Sequence, residues 1–397
     1  MALDHTEGRA PSGRRALLGA CWAHAIHDGL TDLIYVLLPV WQTQFAISYA
    51  FVGVMRALYS GTMAGLQLSA SRLSRRFGRK PLLVGGMALA GLAYVIAGLS
   101  GGLAGLCVAL ILGGMGASTQ HPLASALVAN THEGADAKRA LATYNFAGDI
   151  GKMVFPAGVG LALAWLSWGQ SALLVGALAL FASLALARWL PAEASGPDGV
   201  GRQAAPSAAP GRFSPGFWAL LAAGFIDSAT RMGFLTLLPF LCRENGAKTA
   251  TIGLAMALVF LGGGFGKLVC GHLGIRWGTV KTVWFTETFT AVGILCVLSL
   301  PLAPGLAVLP LVGLMLNGTS SVLYGSVPDL IDAPGREKAF ALFYSGTIGG
   351  GALSPLLFGW LSDHAGLHLA LAAVSATVLL TLPLIWASRR YGGFSAA

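Results

Sequence analysis

Apolar residues run along this chain in stretches about as long as a bilayer is thick, parted by short polar loops. Twelve such runs are predicted as helices: 17–41, 50–70, 81–100, 104–129, 140–165, 170–190, 214–241, 250–271, 279–300, 305–328, 338–361 and 367–388. Each approaches the ~20 residues that a spanning helix needs. The polar positions inside the runs are few. Nine charged residues lie away from the ends of the runs: Asp28, Asp32, Arg56, Asp149, Lys152, Asp227, Arg231, Lys267 and Glu287. A charge at mid-bilayer costs ~2.5–3.5 kcal/mol even on insertion scales, so each needs a partner, a watery cavity or a proton. A scaffold with no polar traffic has little use for them.

Composition agrees. The 397 residues are 55% hydrophobic and 10% charged with a mean hydropathy of +0.71, far from the ~25% charged of soluble domains. Met1–Arg15 is polar and lacks an apolar core, so no cleavable signal is predicted. The net charge of +9 raises nucleic-acid binding, but its placement argues for topology instead. Most Lys and Arg fall in alternate loops, with a cluster at Arg72, Arg75, Arg76, Arg79 and Lys80, whereas the opposite loops hold Arg243 and Lys248. The positive-inside rule then predicts an even number of spans with both termini cytoplasmic, in a bacterial inner membrane. The five cysteines are scattered and read as small apolar packing residues.

The chain repeats at an offset near 200. Leu37-Leu38-Pro39 corresponds to Leu237-Leu238-Pro239, and Leu73, Arg76 and Gly78 to Leu273, Arg276 and Gly278. A Pro/Gly/Ala/Ser-rich stretch separates the copies. The predicted organisation is an N-terminal six-helix bundle over 1–190, a cytoplasmic linker over 191–213 and a C-terminal six-helix bundle over 214–397. Two such halves imply a pseudo-two-fold axis along the membrane normal and a binding cavity at their junction, towards which Asp28 and Asp227 would both face.

The loop Ser71-Arg-Leu-Ser-Arg75-Arg76-Phe-Gly78-Arg79-Lys80 resembles the G-x-L-x-D-R-x-G-R-K loop of the major facilitator superfamily, with Ser71 for glycine and Arg75 for aspartate. Gly271-His-Leu273-Gly-Ile275-Arg276-Trp-Gly278 resembles its degenerate copy. The resemblance implies twelve helices in two pseudo-symmetric halves, and a conformational loop in which Arg76, Gly78, Arg79, Arg276 and Gly278 form tight turns that latch one state. A closer resemblance, over roughly residues 24–160, is to fosmidomycin-resistance-type exporters. His24-Ala-Ile-His27-Asp28 with Leu37-Leu38-Pro39 is similar to their H-x-x-N-D opening. Gly113-Gly-Met-Gly116-Ala-Ser118-Thr-Gln-His121-Pro122 is similar to their G-x-G-S-x-x-x-H-P segment. Gly148-Asp149-Ile-Gly151, leading to Pro156, is similar to their G-N-x-G…P span. That family implies drug resistance by proton-coupled efflux of small polar or anionic compounds.

Spacing assigns roles within the spans. His24, Asp28 and Asp32, at i, i+4 and i+8, share one helical face, where a carboxylate beside an imidazole suits proton coupling. His27 lies off that stripe and reads as helix–helix glue. Asp149 and Lys152 are spaced to pair, as are Asp227 and Arg231 in the other half. Asp28, Asp149 and Asp227 are the proton-coupling candidates. His24, His121, Lys152 and Arg231 are the substrate-binding candidates, with Tyr35, Asn145 and Tyr344 as neutral hydrogen-bonding groups. Arg56 and Lys267 read as snorkelling, and Glu287 as belonging to a peripheral helix. Gly262-Gly-Gly264 and Gly349-Gly-Gly351 lack GK[ST] and read as packing sites.

No catalytic triad, metal-ligand spacing or ATP motif is present. The sequence therefore predicts no enzyme, no metal and no cofactor beyond a proton gradient. The expected protein is a monomeric secondary antiporter, with substrate, protons and lipid as partners and no nucleic acid. Alternatives are a symporter importing an organic anion, a divalent metal exporter using His24, His27, Asp28 and His121, or a non-transporting membrane sensor or assembly factor.

Overall fold

A computed structural model describes residues 9–132, 134–190, 213–331 and 336–392. The predicted linker lies outside them except for Phe213. The described residues hold no strand. Their helices are α1 (Arg9–Asp32), α2 (Ile34–Phe45), α3 (Tyr49–Phe77), α4 (Arg79–Leu99), α5 (Leu103–Ala117), α6 (Gln120–Thr131), α7 (Gly134–Ala162), α8 (Trp168–Trp189), α9 (Pro215–Glu244), α10 (Thr249–Trp277), α11 (Thr279–Ser299), α12 (Leu302–Gly325), α13 (Arg336–Ala365), α14 (Leu367–Val378) and α15 (Thr381–Gly392). Three pairs follow one another across short breaks, α1–α2, α5–α6 and α14–α15, which leaves the twelve rods that the apolar pattern predicts. Nine rods are long and apolar enough to cross a membrane by composition alone. The other three, α1–α2, α3 and α7, are the ones that carry Asp28, Arg56 and Lys152.

The α5–α6 break shows how sequence sets a local bend. Pro122 has no N–H to offer the carbonyl one turn back. The carbonyl so freed is that of Ser118, and the chain turns there, at Ser118–Thr119, where the hydroxyls back-bond to the preceding turn: Ser118 Oγ donates to Met115 O at 2.7 Å and Thr119 Oγ1 to Gly116 O at 3.0 Å. The interruption expected at His121-Pro122 therefore falls one turn earlier.

The residues fall into two compact units. One combines α1 with the stretch from Leu58 to α8; the other combines Tyr35–Ala57 with α9 onward. In the first, α1 packs along α7, and α4 against α5 and α8. In the second, α10 packs along α12, and α9 against α13 and α15. A Cβ at Gly262 or Gly266 would strike the backbone of Pro310 or Leu314 on α12, so this Gly-rich run sets a close helix approach. Gly78 and Gly278 end α3 and α10 with φ of +84° and +76°, a region open essentially to glycine. Both tight turns of the superfamily-like loops are thus built by the same residue, one repeat apart.

Within the second unit, Asp363 on α13 caps the start of α3. Its two carboxylate oxygens accept from Tyr49 N and Ala50 N, each at 2.8 Å. Arg243 on α9 closes over the end of α2, donating to Pro39 O and Thr43 Oγ1 at 2.9 Å and to Gln42 Oε1. The acid sits at a helix N-terminus and the base near a C-terminus, as the helix dipole favours. An Asp363→Ala variant is expected to lower unfolding free energy by ~1 kcal/mol, the usual cost of a lost cap. A melting curve in detergent that matches the parent would refute the capping role.

Candidate functional site

The first unit contains a charged cluster built where α1 meets α7. Two glycines make the approach possible. A Cβ at Gly151 would collide with the carbonyl of Ala25, and one at Gly148 would lie 2.6 Å from the His24 ring and 2.7 Å from Asp28 Oδ2. With hydrogen at both positions, α7 lies directly on the His24–Asp28 face of α1.

Asp28 is the hub. It is 4% exposed, and four basic side chains converge on its carboxylate. His24 Nε2 is 3.2 Å and Lys152 Nζ 3.3 Å from Oδ2; His121 Nε2 is 3.6 Å and His27 Nε2 3.8 Å from Oδ1. Lys152 also reaches Asp32 at 4.0 Å, and Asp149 adds electrostatic attraction from one turn back on α7. Three carboxylates thus surround one ammonium and three imidazoles.

The tautomer of His24 follows from its partners. Its Nδ1 lies 2.8 Å from Tyr144 O, and a carbonyl only accepts, so Nδ1 carries hydrogen. The ring is held there by stacking on Tyr144 at 4.0 Å. Nε2 is left facing Asp28. It lies 3.2 Å from Asp28 Oδ2, where a proton arriving on Nε2 would complete an ion pair. His121 packs edge-on to both His24 and His27, at 5.2 and 4.8 Å between centroids. His121 is the accessible member, its side chain 35% exposed against 4% for His24.

The structure differs from the sequence reading at several points. His27 belongs to the cluster rather than serving as packing glue. Lys152 reaches across to α1, where its Nζ lies 3.3 Å from Asp28 Oδ2. Arg56 does not snorkel: it is 3% exposed, donates to Tyr35 Oη at 2.9 Å and stacks over that ring at 4.3 Å. Tyr35, whose hydroxyl also points at Met232 Sδ, is therefore engaged within the second unit. Asn145 lies on an exposed side of α7. Tyr344 is part-exposed beside Tyr324. Among the loop residues, Arg76 and Arg276 are exposed and Arg79 half-buried.

The second unit has its own cluster. Arg231 and Asp227 form the predicted i, i+4 pair at 3.8 Å. Ser320 on α12 bridges them, donating to Asp227 Oδ2 at 3.1 Å and accepting from Arg231. Glu287 is not peripheral: it is 1% exposed and lies in hydrogen-bond contact with Asp227. A signal for it exists in the sequence. Thr282, Thr286 and Thr290, spaced by four and fully buried, mark a polar face turned into the bundle.

Comparison with known proteins supplies the family. The Major Facilitator Superfamily model matches residues 20–240 and 220–395. The inner membrane transport protein YajR of Escherichia coli is 36% identical over 108 residues, 27% of this chain and 24% of that protein. The uncharacterized protein Rv2265 of Mycobacterium tuberculosis is 27% identical over 363 residues, 85% of this chain and 84% of the relative. Among solved structures, a bacterial homolog of the human lysosomal transporter Spinster, in an inward-facing and occupied conformation, superposes with a TM-score of 0.76 at 15% identity over 96% of this chain and 97% of that one. Its inward-facing and unoccupied form gives 0.76 at 16%, over 98% and 99%. Helical architecture, charged helix interiors and a family match across both halves agree that this chain belongs to the Major Facilitator Superfamily, as a multi-pass membrane secondary transporter rather than an enzyme.

Proposed function

We propose that the protein is a proton-coupled antiporter that exports a small polar or anionic compound from the bacterial cytoplasm by alternating access, as a monomer in the inner membrane with both termini cytoplasmic. The observation that carries the reading is the double engagement of Asp28 Oδ2 by His24 Nε2 and Lys152 Nζ at 3.2 and 3.3 Å. One oxygen is thus offered both to a proton and to a fixed cation. Hydrogen-bond donors of a substrate compete with the proton for this carboxylate, which is the condition for exchange. An anionic group on the same substrate takes Lys152 and the accessible His121. The His24–Asp28, His121-Pro122 and Gly148-Asp149 segments that resemble fosmidomycin-resistance-type exporters all meet at this cluster, which supports the same substrate class.

A pure organic anion gives the opposite coupling. Taking Lys152 from Asp28 leaves a carboxylate that a proton must neutralise, so proton and anion bind together, as in symport. The excess of Asp28, Asp32 and Asp149 over Lys152 favours exchange. A divalent cation is a third possible cargo, because ligand atoms of His24, Asp28 and His121 lie within 4.8 Å of one another. The Lys152 ammonium stands against it, placing a fixed positive charge at the same carboxylate.

Transport in proteoliposomes separates these readings. A thermal-shift screen over phosphonates (fosmidomycin first), carboxylates, sugars and zinc picks the probe. With the probe loaded inside and the outside acidified, antiport predicts faster probe exit accompanied by proton entry. Exit accompanied by proton exit would establish symport, and exit indifferent to the gradient would remove proton coupling. Zinc as the sole stabilising probe would move the assignment to metal export.

A further inference from the structure

We propose that Asp227 and Glu287 together hold one exchangeable proton, making the second unit a proton-carrying site in its own right. The two carboxyl groups come from different helices, α9 and α11, and are 3% and 1% exposed. They lie in hydrogen-bond contact with each other. A carboxylate can only accept, so two carboxyls bond to one another only when a proton sits on one of them.

Charge balance leads to the same place. One guanidinium, that of Arg231, acts on both carboxyls, and its ion pair is made with Asp227 Oδ2 at 3.8 Å. Ser320 gives its hydroxyl proton to that same oxygen at 3.1 Å. Asp227 is therefore supplied as the charged partner. Glu287 is left with an Oε1 that has no hydrogen-bond partner among the described residues. A buried carboxylate so placed would carry a desolvation cost of several kcal/mol, whereas a neutral carboxyl donating to Asp227 avoids it.

The thiol of Cys270 on α10 senses Glu287 electrostatically. On α12, Thr319 donates to Thr286 Oγ1 at 2.7 Å rather than to either acid. Helix α14 meets α11 through Ser375, which donates to Ala291 O, and α15 through Leu382 O, which accepts from Trp284 Nε1. Helix α13 presents Gly350 and Gly351 to α9. Among these described neighbours, Asp227 and Glu287 are the carboxyl groups.

The site is separate from the Asp28 hub in residues and in unit, and it deepens the proton-coupled reading without needing its substrate. Removing either acid leaves one carboxylate for one guanidinium, which takes away the reason for the proton. The test is infrared difference spectroscopy of the ligand-free full chain in nanodiscs at neutral pH, following the carboxylic-acid C=O stretch. Glu287→Gln is expected to lose one protonated-carboxyl band relative to the parent, Asp28→Asn to keep it, and the band to shift on transfer to D2O. Should Glu287→Gln fail to fold, Asp227→Asn reads the same band. A band unchanged in these acid variants, or one that resists deuterium exchange, overturns the proposal. Failure of the proton-coupled reading would instead show as gradient-independent transport with this band still present and exchangeable.

Discussion

Asp28→Asn protein is expected to fold and to bind its substrate, yet to lose the dependence of transport on a pH gradient. Asn keeps the shape of the carboxyl, and its amide N–H can donate to Nε2 of His24. What it removes is the charge that a proton would neutralise. In the parent, the His24 tautomer is fixed by Tyr144 O, so a proton arriving at Nε2 meets Asp28 Oδ2 at 3.2 Å, the same oxygen that Lys152 holds at 3.3 Å. In the variant, Lys152 falls back on Asp32, already 4.0 Å away, and on Asp149 one turn along α7. That fallback is why the fold survives a change that elsewhere would strand a buried cation at ~3–5 kcal/mol. The checking measurement is counterflow against gradient-driven transport in the same proteoliposomes: counterflow retained, and gradient-driven movement reduced to the protein-free level. A variant that still concentrates substrate on an imposed gradient would take the coupling role away from Asp28. Pairing the change with Lys152→Met gives a second reading, since contacting charges couple by ~0.5–3 kcal/mol in double-mutant cycles. A coupling near zero in the melting temperatures would mean that the Asp28–Lys152 contact does not operate in solution.

The parts of this molecule that were legible in its sequence are those governed by periodicity. Apolar runs gave the rods because hydrocarbon thickness fixes their length, and the 200-residue repeat returned as Gly78 and Gly278 in matching turns. The i, i+4, i+8 stripe of His24, Asp28 and Asp32 named one wall of the cluster. What it could not name was the other wall. A single helix shows which residues share a face, but not how many neighbouring helices that face touches. His27 lies off the stripe and still reaches Asp28, because α6 brings His121 against its ring. Spacing pairs Lys152 along its own helix with Asp149, but only the close α1–α7 approach adds Asp28 across the helices at 3.3 Å. The usual position of its helix in the fold places Glu287 at the periphery, whereas the buried ladder of Thr282, Thr286 and Thr290 marks the face that turns it inward.

The glycines that permit the approach carry the second large effect. Gly151→Val is expected to destroy the cluster, with a loss of stability and of transport that no polar substitution at the site would match. The added Cβ meets the carbonyl of Ala25, which belongs to a helix backbone and cannot rotate aside. Overpacking of this kind costs ~1–3 kcal/mol in well-packed interiors, and here it acts on an interface where small residues, rather than hydrophobic burial, drive helix association. Moving α7 outward by one methyl group also lengthens every contact that crosses to α1. The 3.3 Å bond from Lys152 to Asp28 and the 2.8 Å bond from His24 to Tyr144 O are set by that spacing. Gly148→Ala separates the two consequences. Its Cβ would press on the His24 ring and the Asp28 carboxylate, side chains that can give way. Its melting temperature should therefore stay close to the parent while proton-driven transport falls steeply. If Gly148→Ala transports normally, or if Gly151→Val melts like the parent, then close approach of α1 and α7 is not what assembles the site.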